Sequence, residues 1–180
     1  MRLSLAILGV AVLLLAGCGG KVTPAPSPTS VPHPTTFTSQ AYGFSLTYDA
    51  GQLTQSPSGL SEPKHGQLVI DFIKQDLAGI EITALRETRA IGPGVVRRVL
   101  EHTLRGMYLP ADQRRAVKPA SVGGLRGLEV DGSAQGARTE VFAVGRGYYV
   151  YTIMIGADAK AWDKLRPMLE VAAQTFTILK

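Results

Sequence analysis

The chain has 180 residues, 45% of them hydrophobic, a formal net charge of +5 and one cysteine. That is apolar material for one ordinary domain, with no pair of cysteines to staple it, so its stability must come from packing. The basic excess is mild, 19 Lys and Arg against 14 Asp and Glu, and the two signs alternate along the chain, which argues against a nucleic-acid partner.

The N-terminus reads as a secretory signal. Arg2 supplies the positive end, Leu3 to Leu15 an apolar run of about thirteen residues, and Ala16-Gly17 the small residues of a cleavage site. The run is too short to span a bilayer, which takes roughly 20 apolar residues, and Gly17, Gly19 and Gly20 interrupt it. Leu15-Ala16-Gly17-Cys18 resembles the lipobox of bacterial lipoproteins, which implies removal of residues 1–17, a diacylglycerol thioether on Cys18 and, in many bacteria, a further acyl chain on its amino group. Two or three chains give stable anchoring where one gives marginal binding. Losing Arg2 leaves 18 basic against 14 acidic residues, or +4.

Residues 18–36 carry Pro24, Pro26, Pro28, Pro32 and Pro34 among Ser, Thr and Ala and lack the apolar area to fold. They are expected to form a disordered, semi-rigid tether reaching about 55 Å at roughly 3.1 Å per residue. Residues 37–180 then form the domain.

Within it, Tyr42 to Tyr48 alternates Tyr42, Phe44, Leu46 and Tyr48, the mark of a strand with one buried face. Strands are predicted over Leu68 to Ile73 and Gly79 to Leu85, so three precede any helix. Val95, Val96, Val99, Leu100, Leu104, Met107 and Tyr108 then recur at helical spacing between Gly92-Pro93-Gly94 and Pro110. The opposite face bears Arg97, Arg98, Glu101, His102 and Arg105, with Glu101 and Arg105 suitably placed to pair.

Four strands follow, near Ala116 to Val122, Leu125 to Gly132, Ala137 to Val144 and Tyr148 to Ile155. Gly123-Gly124 suits a two-residue turn and Gly145-Arg146-Gly147 a three-residue one. The last of these strands is apolar on both faces and should lie centrally under a helix. Asp158 is the predicted N-cap of a closing helix with stripe Trp162, Leu165, Leu169 and Ala172, which Pro167 should kink or split. Thr175 to Leu179 makes a short final strand. The class is α+β, an antiparallel sheet with helices packed on it.

The order of elements, the opening Ala41-Tyr42-Gly43-Phe44-Ser45-Leu46-Thr47-Tyr48, the glycines Gly123, Gly124 and Gly127, the strand Tyr148 to Ile155 and the closing Trp162 to Phe176 resemble the PsbP-like superfamily. That superfamily includes photosystem-associated PsbP proteins and bacterial lipoproteins of the LpqN and DcrB types. The chain departs from it in having Asp49-Ala50-Gly51-Gln52-Leu53 where a proline and a tryptophan usually follow the opening. The resemblance implies an αβα sandwich and a non-enzymatic, partner-binding or assembly role. It transfers no catalytic or metal residue.

Chemistry-bearing motifs are sparse. His33, His65 and His102 have no second His or Cys at ligand spacing, so no metal site is predicted. There is no GxSxG elbow, no HExxH helix and no spare thiol, and no cofactor motif. Gly92-Pro93-Gly94 before a helix lacks the third glycine and the Lys-Ser pair of a phosphate loop, so it reads as a helix entry. Asp71, Asp76 and Glu81 are placed to approach one another across adjacent strands. The six tyrosines suit a core or its rim better than a ligand cleft.

The best candidate contact surface is a basic patch of Arg97, Arg98, Arg105, Arg114, Arg115 and Lys118, competing with the ordinary reading of a solvated helix face. The leading expectation is an extracytoplasmic adaptor or assembly lipoprotein, anchored in the cell membrane or outer membrane through acylated Cys18, that binds an envelope protein and performs no reaction. An alternative is a carrier or sensor holding a lipid or other amphiphile between the sheet and a helix, with Pro167 as a gate. An enzyme is a distant third.

Overall fold

The computed structural model describes residues 33–56, 67–75, 77–107 and 109–179. The signal, Cys18 and most of the tether lie outside the described residues, as do His65, Asp76 and Tyr108. Among the described residues no helix is long and apolar enough to cross a membrane.

The elements run β1 (Pro34–Ser39), β2 (Phe44–Asp49), β3 (Thr54–Gln55), β4 (Gln67–Lys74), β5 (Ala78–Arg86), α1 (Pro93–Gly106), α2 (Ala111–Arg115), β6 (Lys118–Val122), β7 (Leu125–Ala134), β8 (Ala137–Arg146), β9 (Tyr149–Asp158), α3 (Trp162–Gln174) and β10 (Thr177–Ile178). β3-β4-β5-β9-β8-β7-β6 form a seven-stranded sheet, and β1-β2-β10 a three-stranded one. Every described pairing is antiparallel. β9 is the middle strand of seven, as its two apolar faces require.

Strand parity sorts the side chains into two cores. Tyr151, Ile153 and Ile155 of β9, with Ile80, Ile82, Phe142 and Val144, meet α3 through Trp162, Leu165 and Leu169, and meet β2 through Phe44, Leu46 and Tyr48. On the other face Val130, Val141 and Ala143 meet Val96, Leu100 and Leu104 of α1. The result is helix, sheet, then a mixed layer in which α3 lies beside the three-stranded sheet. α1 covers β7, β8 and β9, and among the described residues no helix lies on the same face over β4 and β5.

Several local expectations are corrected. Among the described residues five strands, not three, precede α1: β1 and β3 are additional. β1 takes in Pro34 to Thr36, which the sequence assigns to the tether, because β2 offers it a full set of register partners from Pro34↔Asp49 to Ser39↔Phe44. The β8–β9 connection is a two-residue turn at Gly147-Tyr148, with Gly147 at φ +61°, and so Tyr148 leaves the strand. Gly123 and Gly124 do form the β6–β7 turn, at φ +55° and +74°, where a Cβ is disfavoured.

α3 is one helix through Pro167, not two, and its N-cap is Ala161, not Asp158. Asp158 ends β9, where its carboxylate accepts the Lys160 N–H at 2.8 Å and its carbonyl the Ala161 N–H at 2.9 Å. It shapes the turn before the helix. Pro167 is exposed on α3, while the buried stripe of Trp162, Leu165, Leu169, Ala172 and Ala173 holds the helix against the sheet. Burying such side chains contributes roughly 1.5–3 kcal/mol each, against about 3 kcal/mol for a mid-helix proline.

Candidate functional site

Of the predicted patch, Arg105, Arg114 and Arg115 gather and Lys118 stands apart. Val96, Leu100 and Leu104 turn α1 inward at helical spacing, which puts Arg97, Arg98 and Arg105 outward and exposed. Pro110 then starts α2, which brings Arg114 and Arg115 back beside Arg105 around a small concavity that Glu101 and Ala111 complete. Arg97 pairs with Glu101 at 3.7 Å, so Glu101 pairs one turn back and not with Arg105. Among the described residues, the guanidinium groups of Arg98, Arg105, Arg114 and Arg115 have no carboxylate partner.

Lys118 stands apart. On β6 its ammonium faces away from α1 and donates to Asp131 at 2.7 Å, with Glu129 at 3.1 Å. Those two hydrogen bonds raise its pKa. Register sets this side, because Lys118 pairs with Glu129 and Glu129 with Phe142 of the α3-side core.

A charge cluster that the sequence analysis did not single out lies along this flank. Glu140 of β8 is buried and meets Arg166 of α3 at 2.7 Å, and Arg166 also meets Glu170 at 2.9 Å. Oxygens of Glu129, Asp131 and Glu140 approach within 4.8 Å of one another. Burial drives the Glu140 carboxyl up to about 7; Arg166 pulls it down, while Asp131, Glu170 and Glu129 push it up. Arg138 and Arg166 lie over the Trp162 ring at 5.3 and 5.9 Å. Lys118 and Arg166 occupy the cation positions, so the cluster works as a latch between β7, β8 and α3.

A concavity lies on the α1 side. It is an open groove of about 490 Å³ between the α1–α2 connection, through Met107 and Leu109, and the sheet, through Ile73 of β4, Met154 of β9 and Leu77 of the β4–β5 turn. A second hollow of about 260 Å³ continues it past Asp71 and Glu81, sharing Ile73, Gly79, Met154 and Gly156. The lining is chiefly apolar, and the larger volume falls within the roughly 300–1,000 Å³ of small-molecule sites. Asp71 and Glu81, two of the three carboxylates expected to approach across strands, are register partners here.

The tyrosines divide between core and rim. Tyr42, Tyr48 and Tyr151 are buried, Tyr149 is half-buried and Tyr148 sits exposed in its turn. Tyr151 donates to the Tyr42 carbonyl at 2.7 Å, and burial pushes its phenol up to about 12. His33 and His102 are exposed. Gly92 is the N-cap of α1 with Pro93 at its first position, a helix entry.

No protein-family model matches the chain, and no curated protein matches it. Solved structures do. A protein from Bacteroides thetaiotaomicron VPI-5482 aligns over 82% of this chain with a TM-score of 0.54 and 15% identity, and this chain spans about half, 49%, of that protein's length. The cyanobacterial PsbP, CyanoP, of Synechocystis sp. PCC 6803 aligns over 87% of this chain and 98% of its own, with a TM-score of 0.56 and 8% identity.

The fold is PsbP-like. At such identities the likeness is one of architecture. LpqN of Mycobacterium tuberculosis, a protein involved in cell envelope biogenesis, aligns over 82% of this chain and 92% of its own at a TM-score of 0.42 and 16% identity, too distant a superposition to bear on the site. In this PsbP-like domain the groove and the side chains of Arg105, Arg114 and Arg115, which have no carboxylate partner among the described residues, flank the same α1–α2 connection.

Proposed function

We propose that the chain is a lipid-anchored, extracytoplasmic, non-catalytic adaptor whose PsbP-like domain binds an envelope protein. The lipobox-like Leu15-Ala16-Gly17-Cys18 and the proline-rich segment after it support the anchor and tether. The observation that carries the binding role is what flanks the α1–α2 connection: an open apolar groove lined by Met107 and Leu109, and Arg105, Arg114 and Arg115, which have no carboxylate partner among the described residues. Open apolar area beside charged groups that lack an ion-pair partner is what a partner-binding surface offers.

Crosslinking in the native envelope, followed by purification of the lipidated protein and mass analysis of what accompanies it, tests this. One recurrent protein partner, lost when Arg105, Arg114 and Arg115 are reversed in charge, is the expected result. Turnover of any substrate that one polar substitution abolishes overturns it.

A second reading, carriage of an amphiphile, is favoured by the size and apolar lining of the groove. Its place differs from that expected. Under α3, Trp162, Leu165 and Leu169 are buried against the sheet, and the hollow lies instead beside the α1–α2 connection, away from Pro167. Stoichiometric lipid without a protein partner would replace the adaptor by the carrier.

A further inference from the structure

The part of the seven-stranded sheet that α1 leaves bare combines an apolar trough with an uncompensated charge. Gly79 of β5 and Gly156 of β9 are register partners, and with no side chains there the floor of the groove is cut down to backbone between Ile73 and Met154. Leu77 stands at its rim, 48% exposed. At one end Asp71 and Glu81 face each other directly across β4 and β5. Like charges in that relation repel. No ion pair reaches either carboxylate among the described residues, and Glu81 accepts only a long 3.4 Å bond from the Thr83 hydroxyl. Burial raises the pKa of both, and Asp71 raises that of Glu81 further.

We infer that this trough receives a segment of the partner protein carrying a lysine or arginine between apolar side chains, with the cation over Asp71 and Glu81 and its apolar neighbours along Ile73, Leu77 and Leu109. This rests on the adaptor reading and names the partner's chemistry. A long basic side chain fits both halves of the site, because its methylene stem covers apolar surface while its charged head reaches the carboxylates. An acidic segment, or a lipid with an anionic head, meets repulsion at that end. An uncharged one leaves the pair uncompensated.

The test uses the full lipidated chain in its own envelope, with the photocrosslinker benzoylphenylalanine placed in the trough at Leu77 and, in a separate variant, on the exposed face of α1 at His102. From Leu77 one protein should be captured, through a peptide in which Lys or Arg is flanked by apolar residues. The yield should fall at least tenfold in the Asp71→Asn, Glu81→Gln double variant, which removes repulsion and so keeps the fold, as its melting curve checks. Capture of lipid, capture through a segment without a cation, or capture that survives the double variant overturns the assignment. Capture from His102 with none from Leu77 leaves the adaptor standing and removes the trough; capture from neither removes both.

Discussion

Glu140 Oε1 of β8 and Arg166 Nη2 of α3 meet at 2.7 Å, with the Glu140 side chain 5% exposed and that of Arg166 43%. The pair ties α3 to the sheet, yet burial and three neighbouring carboxylates hold the Glu140 carboxyl at about 7. An acid whose pKa rises on folding binds its proton more tightly in the native state, so stability falls as pH climbs from the unfolded value to the folded one. The window here runs from about pH 4.5 to 7, and the loss is at most about 3 kcal/mol. Urea unfolding of the domain should show this decline between about pH 4.5 and 7, and Glu140→Gln should flatten it. A wild-type profile that rises over that window overturns the account.

Asp71 and Glu81 should have the same sign of effect. Both carboxyls are raised, so their repulsion is absent at low pH and grows as they ionise. Asp71→Asn should stabilise the domain by up to about 1 kcal/mol at pH 8 and by nothing measurable at pH 4. Calorimetric melting of the variant at the two pH values checks it. Destabilisation at pH 8 would mean that Asp71 holds a contact the fold needs.

Gly123 and Gly124 share a turn but not a constraint. A Cβ at Gly123 would lie 1.8 Å from the Phe176 carbonyl oxygen, whereas at Gly124 it meets nothing within 4 Å. The Gly123 N–H also donates to Gln174 Oε1 at 3.1 Å, which docks the β6–β7 turn against the end of α3. Gly124→Ala should cost roughly 1–2 kcal/mol, the left-handed backbone penalty alone, and Gly123→Ala clearly more, since Phe176 must also move. Equal losses in urea unfolding would refute the contact.

Much of the architecture is legible in the sequence, because alternation in Tyr42 to Tyr48 and Gly79 to Leu85 and the helical spacing of Val96, Leu100 and Leu104 are local signals. β1 is not, since Pro34-Thr35-Thr36 is polar and becomes a strand only by hydrogen-bonding to β2. β3, two residues long, is below the length at which a period shows, whereas the equally short β10 falls within the final strand expected over Thr175 to Leu179. Of the site, Asp71 and Glu81 are foreseeable because their strands are consecutive. Lys118 goes to the opposite side because strand parity and the register with Glu129 decide its face. The cluster of Glu129, Asp131 and Glu140 needs the β7–β8 register, set by the Gln135-Gly136 turn with both residues at positive φ. Arg105 meets Arg114 and Arg115 only through the reversal at Pro110, a three-dimensional fact.

The proposed anchor rests on one atom, the Cys18 sulfur, since the chain has no other thiol. Two acyl chains bury enough methylenes, at about 0.8 kcal/mol each, to make membrane attachment stable where one does not. Cys18→Ser keeps a hydroxyl of similar size and removes the thioether, so the variant should move from the membrane pellet to the soluble extracytoplasmic fraction or remain unprocessed. Intact-mass analysis of the native protein should show an N-terminus at position 18 carrying diacylglycerol. A native protein with an unmodified Cys18, or a serine variant that stays membrane-bound with the mature N-terminus, would remove the lipid and leave the domain to reach its partner without a tether.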